Sequence, residues 1–313
     1  MSGGVVALSG GVGGAKLAHG LSMALEPGAL SIIVNTGDDF THLGLHVSPD
    51  VDSVIYALAH LSDVTRGWGR RDETWTFMKV LRELGGEQWF QLGDGDLAMH
   101  VLRTWRLSRG ASLSNVVKDF CDRLGIAAQV LPMSDDPVRT RLLTSEGWLD
   151  FQDYFVRRQC RPAVREIAFD GAQTARALPQ ALAALTQPGL RAIVICPSNP
   201  FVSVDPILAV PGIRDALQRA TAPVIAVSPI IGGRALKGPA AKMMVELNLE
   251  VSSRTVAQRY LGLAHAFIYD QSEPPPAALP GMSLIPAPTI MSNDSERLQL
   301  ARVVLASAAH CTG

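Results

Sequence analysis

Val5-Val6-Ala7-Leu8-Ser9-Gly10-Gly11-Val12-Gly13-Gly14-Ala15-Lys16 reads as a buried strand, a tight loop and the start of a helix, which continues through Leu17, Leu21 and Leu25. Glycines let backbone N–H groups come close to a ligand, and the positive end of the following helix favours an anion there. The expected anion is a phosphate of a nucleotide, held by Gly10, Gly11, Val12, Gly13, Gly14, Ala15 and Lys16. The spacing is neither G-x-G-x-x-G nor a P-loop, because Lys16 lacks the Walker spacing and no Ser or Thr follows it. The competing reading is a close-packed first turn of an α/β sheet with no ligand.

Further short apolar runs end in turn residues at Ser31–Val34, Ala192–Cys196 and Pro223–Val227, with Phe267–Tyr269 as another candidate. Such runs suit strands buried on both faces, and helical patterns lie between several of them. The expected fold is α/β: a Rossmann-like, doubly wound, mostly parallel sheet. Residues 50–124 differ. Val51–Leu61, Glu73–Leu84, Leu97–Ser108 and Leu113–Leu124 all carry helix-period apolar spacing without a clear strand between them. We therefore expect a core formed by residues 1–49 and 125–313, with residues 50–124 as a helical insertion lobe over the sheet's carboxyl edge. Gln129–Tyr154 reads as short strands and turns, and the proline-rich Ser272–Pro288 as a surface excursion.

The chain has 313 residues, 47% hydrophobic and 18% charged, which is enough to bury a full core. A formal net charge of -1 gives no electrostatic case for nucleic acid or an anionic membrane as partner. Cys121, Cys160, Cys196 and Cys311 show no C-x-x-C spacing, against a structural zinc site or a disulfide framework. No apolar run is long enough to span a bilayer and the N-terminus leads directly into a strand, so a cytoplasmic location is expected.

Several polar segments sit where strands end. Asn35-Thr36-Gly37-Asp38-Asp39 follows the second strand, where adjacent carboxylates can hold a hard cation or merely cap a turn. In Ser48-Pro49-Asp50-Val51-Asp52-Ser53, the acids precede a helix, so Asp50 is either an N-cap or a crevice carboxylate. Leu92-Gly93-Asp94-Gly95-Asp96 places two acids at a helix start, with His100 and Arg103 further along the same face. Pro132-Met133-Ser134-Asp135-Asp136 is dense in turn residues, and Pro197-Ser198-Asn199-Pro200 offers small hydrogen-bonding groups after a buried strand. Ser228-Pro229-Ile230-Ile231-Gly232-Gly233, followed by Arg234 and Lys237, makes a second plausible anion cradle. His42 and His46 have helical metal-pair spacing but flank Leu43-Gly44-Leu45, expected to be a loop.

Taken in order, these blocks resemble the 2-phospho-L-lactate transferase family of coenzyme F420 biosynthesis, from residue 5 to about residue 300, including Thr289-Ile290-Met291 and Asp294. The resemblance implies a usually dimeric enzyme with a Rossmann-like core and helical lobe. It implies transfer of a phospholactyl, phosphoenolpyruvyl or phosphoglyceryl group from a guanosine-diphospho-acid donor to the ribityl hydroxyl of the deazaflavin FO, releasing GMP. It implies nucleotide contacts from the Gly10–Lys16 loop, Ser198, Asn199, Ser228, Gly232 and Gly233, with a phosphate expected near Gly11–Ala15 and the base toward the Ser198–Asn199 and Ser228–Gly233 loops. It implies FO contacts from Asp50, Gln91, Asp94 and Asp96, with Asp50 taking the hydroxyl proton. Mg²⁺ is the implied cofactor, with Asp38, Asp39 and Asp50 as its candidate ligands. Two positions depart from the family pattern: Gly95 stands where a basic residue is usual, and Gln91 where Lys is frequent.

Two other functions fit parts of the pattern. A nucleotide-sugar-binding regulator of the related gluconeogenesis-factor type shares the glycine-rich start, but would lack the L-G-D-x-D block. A dinucleotide-dependent oxidoreductase is disfavoured because Asn35, not an acid, ends the second strand.

Overall fold

The computed structural model describes residues 3–235 and 238–311, so Lys237 of the second glycine-rich loop lies outside the described residues. In chain order the elements begin with β1 (Val5–Ser9), α1 (Gly11–Ala24), β2 (Leu30–Val34), β3 (Phe40–His42) and β4 (Leu45–Val47). Four helices follow: α2 (Pro49–Leu58), α3 (Thr76–Glu83), α4 (Asp94–Ser108) and α5 (Leu113–Arg123). Next come β5 (Gln129–Pro132), β6 (Arg139–Thr144), β7 (Gly147–Asp150), β8 (Val164–Asp170), α6 (Pro179–Thr186) and β9 (Ala192–Ile195). Then α7 (Asp205–Ala209), α8 (Ile213–Arg219), β10 (Val224–Val227), β11 (Ile230–Ile231), β12 (Arg234–Ala235), α9 (Ala240–Glu246) and α10 (Ser253–Arg259). The chain closes with β13 (Ala266–Asp270), β14 (Ser283–Ala287) and α11 (Asp294–Cys311).

Seven strands form one sheet in the order β14-β13-β10-β9-β1-β2-β5, and every neighbouring pair is parallel. From β1 the chain builds outward through β2 and β5, then returns to lay β9, β10, β13 and β14 on the other side. The order reverses between β1 and β9. In open α/β sheets the crevice outside the carboxyl ends of two such strands is where ligands bind.

Strand alternation divides the core between two faces. Val5 and Ala7 of β1 pack with α1, α2, α5 and α11, while Val6 and Leu8 pack with the helices α6 to α10. Gly20 lets α1 and α11 touch backbone to backbone, since a Cβ there would lie 2.3 Å from the Arg297 carbonyl oxygen. Within residues 50–124, α2 and α5 bury Val51, Val54, Ile55, Val116 and Val117 in the same layer as α1. Between them α3 buries only Met78, and α4 only His100 and Arg103.

Outside the main sheet, β7-β6-β8 form a small antiparallel sheet, and β3–β4 and β11–β12 are hairpins. The loop expected between His42 and His46 is the Leu43–Gly44 turn of the β3–β4 hairpin, both residues at positive φ, while Leu45 already belongs to β4. One expectation needs correction. Ser272–Pro288 is not wholly a surface excursion: its end is β14, whose edge position tolerates Pro286. Strand β8 had no sequence signal, because most of its residues are not buried and no apolar run marks it. Among the described residues, no helix is long and apolar enough to cross a membrane.

Candidate active site

The glycine-rich loop at the end of β1 lies directly against the segment that follows β9. The Gly10 N–H donates to Ser198 Oγ at 3.1 Å, and that hydroxyl donates to the Gly10 carbonyl at 2.7 Å. A Cβ on Gly13 would lie 2.4 Å from the Pro197 carbonyl oxygen, and one on Gly14 2.4 Å from Ser198 Oγ. A Cβ on Gly10 would lie 2.5 Å from Asp50 Oδ2. These three glycines are therefore demanded by packing at the switch point. Gly11, at φ +63°, instead supplies the left-handed backbone with which α1 begins. The close-packed turn and the anion-seeking helix terminus coexist here, because the packing is what aims the first turn of α1 into the crevice.

Asp50 sits in the first turn of α2 but does not cap it; Ser48 holds the N-cap position and Pro49 follows. Its side chain is turned inward, and the residue is 5% exposed. Asn35, at the end of β2, donates from Nδ2 to Asp50 Oδ2 at 2.9 Å, to Asp38 Oδ1 at 3.1 Å and to the Val202 carbonyl at 3.2 Å. Its own Oδ1 accepts from the Gly37 N–H at 2.8 Å. The Gly11 amide lies against the same Asp50 carboxylate, at the N-terminus of α1. Burial pushes the Asp50 carboxyl up to about 6, against the pull of the Asn35 hydrogen bond. Burial, together with the charges of Asp50 and Asp39, pushes Asp38 well above the carboxylate range.

Asp39 turns toward the β3–β4 hairpin. Its Oδ2 accepts from Ser48 Oγ at 2.7 Å and lies 3.1 Å from His46 Nε2, while Oδ1 is buried without a partner. That contact with His46 is the only ion pair any of the three acids makes among the described residues. An all-oxygen, excess-negative donor set of this kind fits a hard cation such as Mg²⁺. The three do not converge their oxygens on one point. Among the described residues the sets that do are Asp52 with Asp96 and His100, and His19 with His60 and Asp294. Mg²⁺ keeps several waters and uses one or two carboxylates plus substrate phosphates, so the Asp38–Asp50 pair suffices.

The other acids have structural partners. Asp52 pairs with the fully buried Arg103, which also donates to the His46 carbonyl and contacts His100 Nδ1. His100 Nε2 lies 3.4 Å from Asp96 Oδ1, which accepts from the Tyr56 hydroxyl at 2.5 Å. Asp94 accepts from the Thr76 and Phe77 N–H groups and so caps α3, although it begins α4. Glu73 returns the favour, accepting from the Gly95 and Asp96 N–H groups at the start of α4. A Cβ on Gly95 would lie 2.7 Å from Arg70 Nη1, so a guanidinium borders that position even though residue 95 has no side chain. Gln91 donates to the Gln88 carbonyl at 2.7 Å.

Of the expected nucleotide contacts, Asn199 accepts from the Phe201 N–H, and Ser228 bonds the backbone of Ile230 and the Ser253 hydroxyl. Gly232 and Gly233 have positive φ and are exposed, but the Gly232 N–H donates to Glu273 Oε1 at 3.1 Å. Lys16 borders a cavity of about 60 Å³ with Ser53, Trp68, Ser292 and Arg297, beside α1. Sequence reading missed an aromatic group that begins one residue after Asp39: Phe40, His42, Trp89 and Phe90, with ring centroids 4.9 to 6.2 Å apart. The adjacent Trp89-Phe90 pair, just before Gln91, was the signal available.

The chain matches the family model described as 2-phospho-L-lactate transferase CofD over residues 5–303. It is 39% identical to a phosphoenolpyruvate transferase of Kitasatospora aureofaciens, covering 97% of each chain. It is 38% identical to a 2-phospho-L-lactate transferase of Methanosarcina mazei, covering 86% of this chain and 88% of the other. Among solved structures, a UPF0052-family protein of Bacillus halodurans shares the fold, with a TM-score of 0.63 at 17% identity over 97% of this chain and 99% of that one.

Proposed function

The chain belongs to the 2-phospho-L-lactate transferase CofD family, a family of enzymes that move a phospho-acid group, and from that premise we propose its substrates and the roles of its residues. The donor is a guanosine-diphospho-acid carrying a lactyl, enolpyruvyl or glyceryl group, and the acceptor is the ribityl hydroxyl of FO. The hydroxyl oxygen attacks the acid-bearing phosphorus in line. The bond from that phosphorus to the bridging oxygen breaks, GMP leaves, and the hydroxyl proton passes to an Asp50 oxygen. Such transfers depend on positioning and charge neutralisation more than on a covalent nucleophile.

The observation that carries this reading is the placement of Asp50, a buried carboxylate held by Asn35 against the N-terminus of α1. A diphosphate drawn to that terminus meets the Asp38–Asp50 pair, and like charges there call for a cation between them. Asp38 and Asp50, with Asp39 adjacent, would hold Mg²⁺, which when bound would supply charge neutralisation for the leaving phosphate. Asn35 orients both carboxylates, and the first-turn N–H groups of α1 receive phosphate oxygens. Phe40, Trp89 and Phe90 offer apolar faces to the flat deazaflavin ring beside Gln91. A homodimer, as the resemblance implies, and the cytoplasmic location expected from the sequence belong to the same proposal.

The test is GMP release by purified protein given FO and each donor, with Mg²⁺ or excess chelator. GMP is expected only when FO is present, and its release should stop with chelator and resume with Mg²⁺. Full turnover in chelator would remove the cation from the scheme. Absence of guanine-nucleotide binding in Mg²⁺ would remove the donor.

A further inference from the structure

Glu273 lies three residues after the end of β13 and closes the turn there, its N–H donating to the Asp270 carbonyl at 3.0 Å, in the segment read from sequence as a surface excursion. Its carboxylate reaches back over the loop after β10. There Oε1 accepts from the Gly232 N–H at 3.1 Å, and Oε2 accepts from Ser253 Oγ at 2.6 Å. Ser253 Oγ in turn lies 3.1 Å from Ser228 Oγ. Asp270 fixes the turn that presents Glu273, accepting from the Ser272 N–H through one oxygen and from Thr289 through the other. The carboxylate is half-buried and preorganised, and it borders the exposed Gly232–Gly233 backbone.

A negative group at this position makes the loop a poor cradle for phosphate, because two like charges would be placed side by side. The same group suits a ligand edge with adjacent N–H donors. β10 is two strands from β1, so this loop stands about 10 Å from the glycine-rich loop along the carboxyl edge. An extended nucleotide separates its base from its phosphates over such a reach. Guanine presents N1–H and an exocyclic amino group side by side, which a carboxylate accepts together. Adenine presents a lone pair at N1, and xanthine a carbonyl in place of the amino group, and each opposes the carboxylate.

We propose that Glu273 is the residue that selects guanine, with Ser253 and Ser228 holding its carboxylate in place. This rests on the donor reading above, and it gives a selecting residue to the base expected near the 228–233 loop, in place of a phosphate there. Titration calorimetry with GDP, XDP and ADP in Mg²⁺, on wild type, Glu273→Gln and Glu273→Asp, tests it. Wild type should bind GDP at least tenfold tighter than XDP or ADP. Glu273→Gln should weaken GDP at least tenfold and strengthen XDP, since its amide donates to the xanthine carbonyl while its oxygen still accepts from N1–H. Glu273→Asp, which keeps the charge but shortens the reach, should weaken GDP without strengthening XDP. An unchanged GDP-to-XDP ratio in Glu273→Gln, with an unchanged melting temperature, overturns the role of Glu273 and leaves the donor reading standing. A wild type that binds no guanine nucleotide overturns both.

Discussion

At the scale of the residue, Asp50, proposed above as the general base, is a buried carboxylate held by Asn35. Its carboxyl is pushed up from 3.8 to about 6, chiefly by burial. The folded state therefore binds that proton more tightly than the unfolded chain, and ionising Asp50 costs stability progressively from about pH 4 to about pH 6 and fully above it. Asp50→Asn keeps the shape and removes the buried charge, so the melting temperature at neutral pH should hold or rise. Transfer should fall by roughly 10²–10⁴-fold, the usual contribution of a general base. In excess chelator, the melting temperature of the wild type should fall relative to the Asn variant as pH rises from about 4 to about 6. An Asn variant with wild-type turnover would return Asp50 to a structural role and leave Asp38 and Asp39 as the acids to test.

Helices α3 and α4 exchange caps: Glu73 serves the start of α4, while Asp94 serves the start of α3. Neither helix has a side-chain bond from its own N-cap residue, so each depends on the other's flank. Glu73→Ala should cost about 1 kcal/mol, the usual value of a lost cap. Hydrogen exchange should quicken at Gly95 and Asp96 but not at Thr76 and Phe77. Asp94→Ala should give the opposite pattern. Equal acceleration at both helix starts in either variant would mean that the two helices open as one unit and the caps are not separable. Both oxygens of Asp94, an FO contact implied by the family resemblance, serve Thr74, Thr76 and Phe77 in this structure.

Across the whole molecule, Arg103 joins the helical segment to the crevice. From α4 it pairs with Asp52 on α2 and donates to the His46 carbonyl on β4, and the His46 ring holds Asp39. Arg103→Met leaves the buried Asp52 with only the His100 ring, 3.7 Å away, and breaking a buried pair from one side typically costs about 3–5 kcal/mol. Denaturant unfolding should show that loss, and Asp52→Asn combined with Arg103→Met should recover part of it. A single Met variant as stable as wild type would show that Asp52 finds another partner or a proton. The double variant also asks whether turnover follows Arg103 after stability is restored, which would tie the orientation of Asp39 to this link.

Periodicity and turn chemistry were enough to read the parallel strands at Val5, Ser31, Ala192 and Pro223, the four helices between Asp50 and Leu124, and the loops that meet at the sheet's carboxyl edge. Those features are local: burial on both faces of a strand requires an unbroken apolar run, and a tight loop requires glycine. Strand β8 and edge strand β14 escaped because partial burial demands no such run. The site divided along the same line. That Asp50 was a cap or a crevice acid stood open in the sequence, because both readings need the same residue at the same place. Packing chose between them by setting Asn35, 15 residues away, beneath its carboxylate. Ser198 comes to lock Gly10 from 188 residues away, and Glu273 meets Gly232 from 41. A chain codes which residues are buried and how the backbone turns, but partners this distant meet only through the strand order of the sheet, which sets the loops after β1 and β9, and those after β10 and β13, side by side.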